Sequence, residues 1–164
     1  MNEATKQFFA KLYLQKASSD DYVDWAFACL DEGFDSKSLR LLAALSKNHS
    51  IKADFEELFR LSLNELDWNY LSKKEVLIDY AKDLAKQILS GEIEPEDGIE
   101  IINKIYLQLN FPPQLEMWGY FDGHSAEWYD RSRWWIPFIS TYNHERWLEA
   151  VKGEAKDLIE TDFS

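Results

Sequence analysis

Apolar residues recur along most of the chain at spacings of three and four, which is the period of an amphipathic helix. The clearest stripe repeats a pair every four residues: Val76/Leu77, Tyr80/Ala81, Leu84/Ala85 and Ile88/Leu89. Further stripes predict helices over 3–17, 19–33, 37–46, 50–66, 95–111 and 143–161. No segment alternates apolar and polar residues as a half-buried strand does. The pattern therefore predicts an all-α fold of about six to eight helices, as a compact bundle or a stack of antiparallel αα-hairpins.

Residues at the ends of these stripes are suited to cap helices. The hydroxyl of Ser19 can accept an orphan backbone N–H, so we expect Ser19 to begin the second helix, and Ser50 is suited to begin the fourth. Ser72 and Glu75 have the spacing of a capping box. Two glycines are suited to the left-handed position that closes many helices, Gly33 and Gly91. These caps predict short connections between successive helices.

The helical pattern is interrupted near 112–142. This segment is rich in tryptophan, and Gly119, Gly123 and Pro137 break any long helix within it. We expect an aromatic-rich, irregular segment with one or two short helices, which either covers the core or faces a partner. The chain has 164 residues and no low-complexity linker, so we expect a single domain over 1–164.

Charge narrows the classes of function. The chain has 18 basic and 30 acidic residues, for a net charge of −12. Such an acidic chain is unsuited to bind nucleic acid, because phosphate binding depends on lysine and arginine. Residues 83–164 alone carry −9, and a run of five acids without a base lies within them: Glu92, Glu94, Glu96, Asp97 and Glu100. This run is either a surface that attracts a cationic partner or an ordinary solvated surface whose acids favour a helix N-terminus.

Cellular location is suggested by what the sequence lacks. The single cysteine, Cys29, cannot form an internal disulfide and fits a reducing compartment. No secretory signal is visible at the N-terminus, and no apolar run approaches the ~20 residues that cross a membrane. We therefore expect a cytoplasmic protein that does not associate with membranes.

Candidate catalytic residues are few. His124 and Glu127 have a spacing of three, and His144 is followed by Glu145, so together they offer ligand types that zinc accepts. No metalloprotease motif, cysteine ligand, nucleophile elbow or glycine-rich phosphate loop accompanies them. His49 lies in a predicted loop at the start of a helix, and Cys29 lies on an apolar stripe, where cysteine is commonly a small core residue. We therefore expect that the protein is not an enzyme and that it binds no metal, cofactor or small-molecule ligand.

Two stretches resemble small, acidic, all-helical bacterial proteins. The first runs over 21–45 and includes Glu-Gly-Phe-Asp-Ser at 32–36, and the second runs over 80–98 and includes Gly-Glu-Ile-Glu-Pro at 91–95. Some proteins of this kind are immunity proteins that accompany polymorphic or contact-dependent growth-inhibition toxins. The resemblance extends over roughly 20–130 and implies a helical fold and stoichiometric binding. It implies no catalytic residue.

The prediction that follows is an immunity-type protein that neutralises a cognate toxin by occluding it, the toxin being a basic protein such as a nuclease. The alternative is an acidic helical adaptor or structural subunit that binds another cellular protein. A small hydrolase using His124 or His144 is a third, less favoured hypothesis. The residues predicted to contact the partner are acids for steering and tryptophans for anchoring: Glu92, Glu94, Glu96, Asp97, Glu100, Asp122, Glu127, Trp128, Asp130, Trp134 and Trp135.

Overall fold

A computed structural model describes residues 3–45, 51–122 and 144–163, with only the backbone of His144. The described residues form eight α-helices and one short 3-10 helix, without a strand among them. The helices are α1 Glu3–Tyr13, α2 Ser19–Asp31, α3 Lys37–Ala44, α4 Lys52–Glu65, α5 Lys73–Ser90, α6 Pro95–Gln108, α7 Glu116–Asp122 and α8 His144–Glu160, and the 3-10 helix is Pro113–Leu115. The predicted all-α fold is confirmed. None of the described helices combines the length and the apolar composition that a membrane-spanning helix requires.

By its internal contacts the chain divides into two compact units, Met1–Leu77 and Ile78–Ser164. The division falls within α5, so that the first turn of this helix belongs to the first unit. The organisation of all 164 residues as one domain stays a prediction.

The first unit is held together by an aromatic core. The ring of Phe59 in α4 lies 5.0 Å from the ring of Phe8 in α1, and 4.8 Å from that of Trp25 in α2. Both contacts are edge-on, the geometry that aromatic pairs favour. Trp25 Nε1 donates to Thr5 Oγ1 at 3.0 Å, so the buried indole N–H is hydrogen-bonded. Residues from α1, α2 and α4 therefore share one core.

The second unit buries aliphatic stripes of its long helices. Residues at helical spacing on α6 and α8 are buried, as are two large side chains of α7: Ile99, Ile102, Ile105, Val151, Ala155, Leu158, Trp118 and Phe121. The tail after α8 is tied to α5, because Lys82 Nζ donates to the Thr161 carbonyl at 2.6 Å. A cation at this place also favours the negative end of α8.

The N-cap of α2 is Ser18, so the prediction of Ser19 is wrong. The Asp21 backbone N–H donates to Ser18 Oγ at 3.2 Å, and the Ser18 backbone N–H donates to the Asp21 carboxylate at 2.8 Å. This reciprocal capping box needs an acid or amide three residues after the cap. Ser18 has one, whereas the residue three after Ser19 is Tyr22.

Other helix ends also differ from the prediction, and among them the sixth helix ends at Gln108, before residue 111. The first helix ends at Tyr13, before residue 17, because Gln15 adopts a left-handed φ of 57° and the Lys16 N–H donates to the Lys11 carbonyl at 2.8 Å. The third helix ends at Ala44, before residue 46. The fourth begins at Lys52 with Ile51 at the N-cap position. Ser50, the predicted start, lies outside the described residues.

Candidate functional site

The acidic run predicted from the sequence lies at the start of α6. We call it the acidic face and define it as Glu92, Glu94, Glu96, Asp97 and Glu100. Glu92 lies in the turn after α5, Glu94 is the N-cap of α6, and the other three lie in the first two turns of the helix. All five are exposed. The structure therefore brings these five predicted site residues together.

The turn before α6 is fixed by its backbone. Gly91 has a φ of 77°, and the Glu92 N–H donates to the Gln87 carbonyl at 3.0 Å, which closes α5 as predicted for this glycine. Pro95 follows at the first helical position, where its fixed φ favours helix initiation. Glu94 makes no side-chain hydrogen bond to cap α6. The Glu94 carboxylate therefore does not cap the N-terminus of α6.

Packing on the opposite side of α6 keeps the acidic face exposed. Ile99, Ile102 and Ile105 are buried. Gly98 contacts α5 so closely that a Cβ at this position would lie 2.6 Å from Ile88 Cδ1 and 2.8 Å from Ile88 Cγ1. Because the buried stripe and the close crossing fix the rotation of α6 about its axis, the acids lie on the solvent side.

Among the described lysines of α5 and α6 in the second unit, one pairs with the acidic face. In the part of α5 within this unit and in α6 there are three lysines, and each is engaged: Lys82 with the Thr161 carbonyl, Lys86 with Asp83, and Lys104 with Glu100. Glu92 accepts a hydrogen bond from Ser90 Oγ at 3.0 Å. Within the described ranges, Glu94, Glu96 and Asp97 form no ion pair. The start of α6 is therefore a concentrated negative surface.

The helix dipole explains only part of this concentration. Glu96 and Asp97 lie in the first turn of α6, where each acid stabilises the positive end of the helix by about 0.3–1 kcal/mol. Glu92 precedes the helix, and Glu100 lies beyond the first turn, where the dipole effect has fallen off. Glu100 instead supports the helix through its i, i+4 ion pair with Lys104, and Glu92 accepts the hydrogen bond from Ser90, so the helix dipole itself accounts for Glu96 and Asp97 alone.

Asp122 joins the same side of the second unit through α7. Asn103 Nδ2 of α6 donates to Asp122 Oδ2 at 2.5 Å, and both residues belong to helices that pack against each other. Asn103 lies three residues beyond Glu100, so the Asp122 carboxylate is beside α6 about one turn further on. This predicted site residue therefore extends the negative surface along the helix.

The other predicted contact residues lie outside the described residues, namely Glu127, Trp128, Asp130, Trp134 and Trp135. The same holds for His49 and His124 and for the side chain of His144. Cys29 is buried in α2 with its Sγ 3.9 Å from Thr5 Oγ1, which confirms its predicted core position. No group of three or more histidine, cysteine, aspartate or glutamate side chains in the described ranges is placed to hold a metal ion.

Two exposed apolar residues near the end of α6 were not predicted as site residues. Leu107 lies in the last turn, and Phe111 follows the C-cap. The signal for Leu107 was present in the sequence, because Asp97, Glu100, Lys104 and Leu107 are spaced by three, four and three residues and so share a face. For Phe111 no periodic signal exists, since its position depends on the turn that ends the helix.

Comparison with known proteins gives no match: no protein-family model, curated protein or solved structure is similar to this chain at a significant level.

Proposed function

We propose that the chain is a binding protein without catalytic activity, and that it captures a basic protein partner on the acidic face of α6. The observation that carries this proposal is the exposure of Glu94, Glu96 and Asp97 without an ion pair among the described residues. Carboxylates held in this way on a rigid helix create a field that accelerates the encounter with a cationic surface.

We further propose that the partner is a toxin domain and that the chain is its immunity protein. This part of the proposal is supported by the resemblance of residues 20–130 to small acidic immunity-type proteins. It also fits the charge, because a toxin that grips nucleic acid must present cations to phosphates. An acidic inhibitor that covers those cations neutralises the toxin by occlusion. Trp128, Trp134 and Trp135 stay predicted anchors for such a partner.

The test is affinity capture from the source organism with three forms of the full chain. The first is the wild type, and the second is a variant that neutralises four acids of the acidic face: Glu94→Gln, Glu96→Gln, Asp97→Asn and Glu100→Gln. The third removes the same charge from exposed acids of the first unit: Glu3→Gln, Asp20→Asn, Asp31→Asn and Glu32→Gln. Circular dichroism establishes that all three are folded.

We expect a basic protein to be retained by the wild type and by the first-unit control, and to be depleted several-fold with the acidic-face variant. Expression of that protein alone should arrest growth, and co-expression of the wild-type chain should restore it. Equal retention by all three forms would contradict the acidic face as the binding surface. A retained basic protein that does not impair growth would contradict the immunity role and favour the adaptor.

A further inference from the structure

One exposed face of α6 changes character along its length. Asp97, Glu100, Lys104 and Leu107 follow one another at spacings of three and four, and Lys104 forms an ion pair with Glu100. The first half of this face is therefore acidic, and its last turn is apolar. Asp97 and Leu107 are ten positions apart, which corresponds to about 15 Å along the helix axis.

The last turn of α6 and the residues after it leave large apolar side chains exposed to solvent instead of buried in the core. Leu107 is 49% exposed and Phe111 is 60% exposed, and both belong to the six large apolar side chains that the described residues leave most open to solvent. An exposed apolar patch rimmed by charged residues is typical of a binding site. The two residues are four positions apart in sequence, Leu107 in the last turn of α6 and Phe111 in the left-handed turn that follows it.

The backbone holds Phe111 in a conformation that costs energy. Asn110 and Phe111 have φ values of 59° and 63°, in the left-handed region that residues with a Cβ disfavour. The Phe111 N–H donates to the Tyr106 carbonyl at 2.9 Å, which closes α6, and Pro112 restricts the chain on the other side. Backbone strain of this kind is concentrated at functional sites.

The ring of Phe111 packs against Tyr106, which is itself held in place by α7. It meets the ring of Tyr106 edge-on, with centroids 5.2 Å apart and planes at 85°. Tyr106 in turn packs against Gly119 of α7, where a Cβ would lie 3.1 Å from Tyr106 Cε1. Because residue 119 has no side chain, the Tyr106 ring can pack directly against the backbone of α7. Phe111 is an exposed aromatic whose position is fixed in advance, and this lowers the entropy cost of binding.

We propose that Leu107 and Phe111 form an apolar anchor site for a segment of the basic partner. That segment carries lysine or arginine at one end, opposite Asp97 and Glu100, and large apolar side chains about 15 Å away, opposite Leu107 and Phe111. The proposal rests on the proposed function and names the chemistry of the partner at the same surface. In this proposal the acids increase the association rate of the partner, and the apolar pair, Leu107 and Phe111, lowers its dissociation rate.

The charge of the surroundings selects this occupant over a second copy of the chain. The acidic face lies on the same helix, Asp122 lies between it and the apolar end, and the chain as a whole carries −12. Two such surfaces would repel each other on approach. A basic segment instead gains attraction along the first half of α6 and burial at the last turn.

The test is selection of random peptides of about 16 residues, displayed on phage, which span the required distance when helical. The full wild-type chain is the target, and the selected peptides are then measured against three variants. The anchor variant is Leu107→Gln with Phe111→Gly, in which glycine accepts the left-handed backbone and glutamine favours a helix, so the fold is retained. The second is the acidic-face variant above. The control is Phe27→Gln, which removes an equally exposed aromatic of the first unit, 51% open to solvent.

We expect enriched peptides to combine a basic cluster with large apolar residues, to lose about tenfold or more in affinity for the anchor variant, and to bind the control as they bind the wild type. Peptides that lose affinity for the acidic-face variant alone would overturn the anchor site and leave the proposed function standing. Peptides that depend on neither surface would contradict both. The absence of any enrichment on the wild type would also overturn the anchor site.

Discussion

At five helix ends in the described residues the chain turns through a left-handed residue. Glycine occupies this position after α2 and α5, at Gly33 and Gly91, but Gln15, Asp67 and Asn110 occupy it after α1, α4 and α6. The sequence predicts the glycines because only glycine adopts this conformation without steric cost. It does not predict Gln15, because glutamine carries no comparable preference for this conformation.

A second residue-scale feature is the carboxylate of Glu65, which caps α3 from the end of α4. The Ser38 backbone N–H donates to Glu65 Oε2 at 2.8 Å, and the Ser38 hydroxyl donates to Oε1 at 2.7 Å. The hydrogen bond from the Ser38 backbone, and then that from its hydroxyl, hold the pKa of Glu65 below its ordinary value of 4.5. The ionised form of Glu65 is therefore favoured by folding.

We expect Glu65→Gln to lower the melting temperature near neutral pH and to have progressively less effect in acid. A carboxyl whose pKa is lowered by folding contributes stability that is fully present above its ordinary pKa and is lost as the pH falls through the folded value. Thermal unfolding at a series of pH values from about 7 to about 3 measures the difference. Asp31→Asn controls for net charge, and a Glu65→Gln effect that stays constant down to the lowest pH would contradict the capping role.

At the scale of elements, the crossing of α5 and α6 depends on Gly98. A methyl group there would overlap two carbons of the Ile88 side chain, so the helices could keep their spacing only if Ile88 changed its rotamer. We expect Gly98→Ala to destabilise the protein by about 1 kcal/mol, since an overpacking cost of about 1–3 kcal/mol exceeds the gain of about 1 kcal/mol in helix propensity. Urea unfolding measures this loss.

Ile88→Val provides the matched background for that substitution, because valine lacks the Cδ1 atom that lies nearest to the added methyl group. In the Ile88→Val protein, Gly98→Ala should cost less than in the wild type, and the difference is the coupling energy of the pair. An equal loss in both backgrounds would show that the contact with Ile88 Cδ1 is not what requires glycine at residue 98.

Elements with a strong local signal could be predicted from the sequence. The apolar pairs of α5 and the Pro95 start of α6 agree with the structure, because each depends on residues within one or two turns. The prediction of Ser19 as the N-cap of α2 was wrong. Asp21 lies three residues after Ser18, so the capping box forms with Ser18. The contact of Asp122 with Asn103 could not be predicted, because it exists only once α7 has packed against α6.

The candidate site shows the same division between local and long-range information. Five acids of the acidic face are near neighbours in sequence, so their proximity follows from the start of one helix. The support of Phe111 requires residues 106, 111 and 119 to meet across a helix end and a second helix. Periodicity reports neither a left-handed turn nor the partner of an aromatic ring, which is why the apolar end was missed.

At the scale of the whole molecule, charge is distributed unevenly. Residues 1–82 carry −3, whereas residues 83–164 carry −9. Self-repulsion from such an excess opposes compaction of the chain. When such a surface binds a cationic partner, the opposite charges of the partner relieve this repulsion. The attraction between exposed charges is screened over about 8–10 Å at physiological ionic strength. Salt is therefore the variable to which the proposed binding should respond most.

The decisive measurement is the association rate constant of the captured partner as salt is raised from about 50 to about 500 mM, by stopped-flow or surface plasmon resonance. For the wild type we expect the rate to fall steeply with salt. The variant with Glu94, Glu96, Asp97 and Glu100 neutralised should associate several-fold more slowly at low salt and approach the wild-type rate at high salt. A wild-type rate that does not change with salt, or a partner as acidic as this chain, would contradict binding through the acidic face.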